Sequence, residues 1–96
     1  MQTFLISAWF KDNADLEWDA THPGAYIQHL QTFVPGVKLE GQLFGPTGDR
    51  CGIFAILNGQ SLDEVDRFVA SSPYQIAGLY ERVDIHCIEI QTGRIP

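Results

Sequence analysis

Along "TFLISAWF" (residues 3–10) successive side chains of an extended chain fall on alternate faces, with Phe4, Ile6, Ala8 and Phe10 on one face and Leu5, Ser7 and Trp9 on the other. Both faces are largely apolar and rich in β-branched and aromatic side chains, which predicts a strand covered on both sides. "KDNADLEWDATHPG" is polar and full of turn formers and reads as a loop. A helix then follows, with Thr21 as its cap, Pro23 in its first turn and an end near Val34, before Pro35-Gly36. "VKLEGQLFG" alternates again, placing Val37, Leu39 and Leu43 on one face and Lys38, Glu40 and Gln42 on the other. "GPTGDRCG" is a turn, and "IFAILN" (53–58) is apolar on both faces, as a central strand is.

"SLDE" has the spacing of a capping box, with Ser61 as N-cap and Glu64 three residues on. Leu62, Val65 and Val69 recur at helical spacing until Pro73 stops the run. "YQIAGLY" has room for one short helical turn, and "RVDIHCIEI" (82–90) closes the chain as a strand before the tail at 91–96. The order β-α-β-β-α-β over one domain, residues 1–96, predicts an α+β, ferredoxin-like fold with two helices on one sheet face. The other face is too apolar to be left in water, so we expect a homodimer joined through its sheets.

A hydrophobic fraction of 45% with 19% charged residues is that of a globular protein. No apolar run approaches the ~20 residues of a bilayer span, and "MQTFLISAWF" lacks the basic start and small-residue cleavage site of a signal peptide. The expected location is therefore cytoplasmic. A net charge of -6 repels nucleic acid and anionic membranes, so neither is an expected partner. Cys51 and Cys87 lack CxxC spacing and read as reduced, buried thiols.

The chemistry centres on one histidine. At about 100° per residue, Ala25, Tyr26, Leu30 and Phe33 span an arc of roughly 140°, and His29 lies inside it, pointing at the sheet or its rim. Burial lowers an imidazole's pKa, and a neutral ring with one bonded nitrogen suits a packed core and general-base work alike. His22, beside a proline in a first turn, reads as surface. A metal site from His86 and Cys87 fails because neighbouring strand residues point to opposite faces, and no metal is expected. No GxGxxG follows the first strand and no P-loop lysine is present, so no cofactor is expected either.

The segments "HL" (His29-Leu30), "LFGP" (Leu43 to Pro46), "SPY..AGLY" (Ser72 to Tyr80) and "RVDIHCIEI", in this order, resemble the YCII-like family of small dimeric α/β-barrel proteins. That resemblance implies a pocket beside the helix histidine, with His29 at its position and catalysis shared with an aspartate. Ser72 stands where the family carries an aspartate, in "SPY" instead of "DPY", and the arginine often found just before the histidine is missing. Asp49 is then the carboxylate expected to accompany His29, while Ser72 and Tyr74 are expected to line the pocket and bind substrate. The implied function is general acid/base chemistry, isomerisation or elimination, on a small carbonyl or ring-containing molecule. The competing reading is a non-catalytic dimeric binding or assembly module that keeps the fold without the chemistry.

Overall fold

The computed structural model describes residues 1–15, 17–34 and 36–95. Pro35, expected just beyond the first helix, lies outside the described residues. The elements are β1 (Gln2–Phe10), α1 (Trp18–Thr21), α2 (Ala25–Gln31), β2 (Val37–Phe44), β3 (Arg50–Gly59), α3 (Leu62–Ala70), α4 (Pro73–Ile76) and β4 (Tyr80–Ile88). The strands form one antiparallel sheet in the order β2-β3-β1-β4, the ferredoxin-like arrangement, so the expected α+β subunit is observed.

β1 and β3 hold the centre through an unbroken ladder from Gln2↔Gly59 to Trp9↔Gly52. Phe4, Ile6 and Ala8 oppose Leu57, Ala55 and Ile53 on one face, and all six are buried. There they meet Phe33 and Val65 at one end and Phe10, Tyr74, Leu79 and Tyr80 at the other. The two strands approach so closely at Gly52 that a Cβ there would collide with the Ala8 carbonyl.

Three local expectations are corrected. Thr21 does not cap α2: its hydroxyl donates to the Trp18 carbonyl 2.9 Å away, closing a one-turn helix inside the expected loop. The chain then turns through Gly24, whose φ of 77° is a left-handed conformation favouring glycine, and α2 runs from Ala25 to Gln31. Pro23 thus precedes α2, and the helix ends three residues earlier than Val34.

The second correction concerns β2. A register shift separates Val37, opposite Leu57, from Leu39, opposite Ile56. This irregularity puts Val37 and Leu39 on opposite faces of the sheet. Glu40 and Gln42, opposite Ala55 and Ile53, therefore lie on the helix side, and Leu39, Gly41 and Leu43 on the open side. The third concerns the cysteines, both free: Cys51 is half-buried and Cys87, on the edge strand, is exposed.

The capping box of α3 forms as expected on the Ser61 side, whose hydroxyl accepts from the Glu64 N–H at 3.3 Å. The Glu64 carboxylate reaches back to the N–H of Gln60 at 2.7 Å. On the open sheet face Leu5, Trp9, Phe54 and Ile56 are half-buried, Leu39 is exposed, and the Phe54 ring lies across Gly41. No helix among the described residues is long and apolar enough to cross a membrane.

Leu57 is fully buried at the centre of the sheet. Leu57→Ala is expected to lower stability by about 2–5 kcal/mol in urea denaturation. Gly52→Ala is expected to disrupt the β1–β3 ladder itself, read as lost amide protection along both strands.

Candidate functional site

His29 sits at the end of α2 nearest α3. Its Nε2 lies 2.9 Å from the Phe68 carbonyl and its ring stacks on Phe68, centroids 4.4 Å apart and 9° from parallel. A carbonyl oxygen only accepts, so Nε2 carries the hydrogen and Nδ1 of the neutral ring is the free acceptor. Burial lowers the His29 pKa below its ordinary value, and the Phe68 carbonyl opposes this in part. At neutral pH the ring is a free base of fixed tautomer.

Beneath α2, His29 borders a cavity of about 20 Å³. Its floor is the apolar face of β1 and β3, and Tyr26, Ser72 and Tyr80 are among the residues that line its walls. Ser72 is 4% exposed, and its buried Oγ has no hydrogen-bond partner. The Tyr80 pKa is held above its ordinary value chiefly by burial, with the neighbouring Ser72 hydroxyl working the other way. Tyr26 is held high chiefly by burial as well. Both phenols stay protonated at neutral pH and can donate.

On the other side of Tyr26 lies a larger pocket, about 210 Å³, bordered by Asp19, Tyr26, Glu40, Gln42 and Tyr74. The β2 register shift turns Glu40 and Gln42 toward it. At its base the Tyr74 hydroxyl donates to Asp19 Oδ1 at 2.6 Å and accepts from Arg50 Nη2 at 3.3 Å. Arg50 Nη1 closes the triangle on Asp19 Oδ2 at 3.1 Å.

Aromatic rings enclose this triangle. Tyr26 stacks on Tyr74 at 4.5 Å, Trp18 and Phe10 meet Tyr74 edge-on, and Arg50 lies 5.0 Å over the Phe10 ring. Burial, reinforced by the Asp19 carboxylate, pushes the Tyr74 pKa up to about 12. Burial opposes the charge on Arg50, but Tyr74 and then Asp19 outweigh it and raise its pKa. Burial also raises the Glu40 pKa, against the pull of Arg50.

Of the residues expected from sequence, the structure brings His29 and Ser72 to one cavity and places Tyr74 at the base of the neighbouring pocket. Asp49 is exposed in the β2–β3 turn, where its carboxylate accepts from the Thr47 hydroxyl at 3.1 Å. It forms no hydrogen bond with His29. The residue after it, Arg50, reaches the site instead. His22 is exposed, as expected, and stacks on Trp18 at 4.0 Å.

Asp19 and Arg50 were missed because neither stands in a motif. A faint signal was the short helix-compatible stretch "WDAT" within the loop, which positions Asp19. Among the described residues no three His, Cys, Asp or Glu side chains gather as a metal site would require.

The fold defines a class: a ferredoxin-like α+β subunit with a polar pocket beneath its first long helix. No family model matches the chain, and no curated protein matches it. Among solved structures, it is similar to 5-chloro-2-hydroxyhydroquinone dehydrochlorinase (TftG) from Burkholderia phenoliruptrix, in complex with 2,5-dihydroxybenzoquinone. The TM-score is 0.77 at 24% identity, covering 91% of this chain and 93% of that one. It is also similar to At3g17210 from Arabidopsis thaliana, with a TM-score of 0.52 at 15% identity over 99% of this chain and 100% of that one. At these identities the likeness establishes the fold.

Tyr74→Phe takes the shortest donor from Asp19 and is expected to cost about 1–3 kcal/mol in chemical denaturation. The Tyr74 pKa is higher in the folded state than the ordinary 10.0. Its contribution is therefore complete below pH 10.0 and lost as pH rises through about 12. An ultraviolet phenol titration of wild type against Tyr74→Phe isolates that late-ionising group.

Proposed function

We propose that the protein is a small enzyme, YCII-like in kind, that uses His29 as a general base on a small ring-containing or carbonyl molecule. The observation that carries this reading is the imidazole of fixed tautomer: the Phe68 carbonyl holds the Nε2 hydrogen, burial keeps the ring neutral, and Nδ1 is left to take a proton. In this reading the Phe68 carbonyl takes the orienting part that the family resemblance gives to a carboxylate.

The chemistry follows from the groups present. Nδ1 is the acceptor for a proton drawn from a carbon next to a carbonyl, or from a hydroxyl, on a part of the ligand that reaches past Tyr26 from the larger pocket, and the electron pair moves onto the carbonyl oxygen. The protonated phenol of Tyr26, which borders both spaces, is the donor for that developing negative charge. Return of the proton at another carbon completes an isomerisation, and departure of a leaving group completes an elimination. A positioned base of this kind contributes ~10²–10⁴-fold.

Size supports one of the two spaces as the ligand's place. A cavity of roughly 150 Å³ accepts benzene, so a ring fits the 210 Å³ pocket and not the 20 Å³ cavity. Ser72 then serves the cavity and Tyr74 the ring. Support also comes from TftG, a dehydrochlorinase of the same fold that holds a quinone ring.

A non-catalytic binding module is the second reading, favoured by the carbonyl partner of His29, since such a bond also satisfies a structural histidine. We further propose that a second copy covers the open sheet face, where Leu5, Trp9, Phe54 and Ile56 stand without helices.

2,5-Dihydroxybenzoquinone serves as probe, its ring C–H exchanging with deuterated solvent under base catalysis. The wild type is expected to accelerate that exchange, and His29→Gln to slow it about 100-fold while remaining folded. No acceleration by the wild type, or an undiminished rate in His29→Gln, selects the binding module. The sign of the pH effect is set by the lowered pKa of His29. Its stabilising contribution is complete above pH 6.5 and lost as the pH falls through the lower folded-state value, and the catalysed rate falls with it. Sedimentation tests the assembly: Phe54→Asp is expected to convert a dimer to a folded monomer.

A further inference from the structure

Two carboxylates border the pocket beyond Tyr26, and they are held differently. Asp19 spends both oxygens on protein donors: Oδ1 accepts from Tyr74 at 2.6 Å and Oδ2 from Arg50 at 3.1 Å. Its charge is matched by that guanidinium. Glu40 has neither an ion pair nor a hydrogen-bonding partner among the described residues. It stands opposite Ala55 on the helix side of β2 and is half-buried. Its charge helps to raise the Tyr26 pKa, and the charge of Arg50 acts on it in turn, so the carboxyl end lies within electrostatic reach of the pocket base.

A carboxylate that gives up hydration without gaining a partner is a cost to stability. Where such a group faces a cleft, its use is chemical before it is structural. Burial raises the Glu40 pKa, with Arg50 opposing, and this makes the ionised group a stronger base than an exposed carboxylate. The groups facing it are Asp19 from α1, Tyr26 from α2, Arg50 from β3 and Tyr74 from α4. Asp19 and Arg50 cancel, and both phenols keep their hydrogens at neutral pH. Glu40 is left as the pocket's group free to take up and give back a proton.

The space suits a ring. Its volume of about 210 Å³ exceeds the roughly 150 Å³ that accepts benzene. Within an aromatic ring, a hydroxyl oxygen and the next ring carbon lie side by side, as do the two oxygens of a carboxylate. One glutamate can therefore serve both atoms without a second base. The role that follows rests on a ring occupying this pocket, and not on His29 as the base.

We propose that Glu40 is a catalytic residue acting on a ring that bears a hydroxyl group, moving the hydroxyl proton to the neighbouring ring carbon. One carboxylate oxygen takes the proton, and the electron pair left on the ring oxygen closes a carbonyl double bond. A ring π pair is displaced to the neighbouring carbon, which takes the proton back from the carboxyl group. The ring ends as its keto tautomer, Glu40 as a carboxylate, and nothing is oxidised or reduced. The Tyr26 phenol, on the same pocket, donates to the ring oxygen while it carries charge.

The test uses the full chain and 1,3-dihydroxybenzene in deuterated solvent. The carboxyl proton exchanges with solvent, so passage through the keto form and back replaces ring C–H by C–D, read by proton NMR. The wild type is expected to accelerate this exchange. Glu40→Gln keeps size and shape but takes up no proton, and is expected to lower the rate at saturation about 100-fold with Kd nearly unchanged. Should that variant fail to fold, Glu40→Asp, which keeps the charge and draws it back by one methylene, supplies the same comparison. No acceleration by the wild type, an undiminished rate in the variant, or a loss that appears in Kd alone overturns the proposal. Parallel assays of His29→Gln separate the two readings. Exchange that needs Glu40 and not His29 supports this role and defeats His29 as the base, whereas exchange that needs His29 and not Glu40 does the reverse.

Discussion

The Tyr74 hydroxyl is the point on which three distant parts of the chain converge. It donates its one hydrogen to Asp19 and accepts from Arg50, joining the turn before α2, the start of β3 and the segment between α3 and β4. Aromatic faces exclude water around it, which strengthens these charge-assisted bonds and raises the cost of losing any one. Tyr26, stacked on Tyr74, is thereby set between the two spaces of the site. Displacing the phenol disturbs the pocket base and the partition together.

The strands and the α3 cap were legible because they obey strictly local rules. The period-two alternation of Phe4, Ile6, Ala8 and Phe10 specifies a face, and Ser61 with Glu64 specifies a helix start. What escaped was what depends on tertiary partners. The register shift after Val37 is decided by pairing with β3, and no pattern within "VKLEGQLF" announces it. Thr21 had a cap's chemistry, but its hydroxyl closes α1 instead.

The site was legible to the same degree. His29 stood out as a polar residue in an apolar arc, and the structure puts it half-buried at a cavity. Its partner did not stand out, because a main-chain carbonyl leaves no signature in side-chain identity. The expectation of a carboxylate singled out Asp49, and the neighbouring Arg50 proved to be the residue that crosses to the pocket. Adjacent positions at the mouth of a strand have nearly equal access to an interior site, and the deciding factor was whether the Tyr74–Asp19 pair was there to receive a cation.

The irregularity in β2 has one more consequence. Because the strand is pleated, any residue taken from the helix side is delivered to the outer side, and the reverse. Glu40 and Gln42 furnish the pocket only because Leu39 and Leu43 are committed to the opposite surface. Removing the extra residue would exchange the two sets in one step, making the recess greasy and the exterior hydrophilic. The polarity of the recess and that of the outer face are thus mechanically geared to one another, and neither can drift through this strand without dragging the other along.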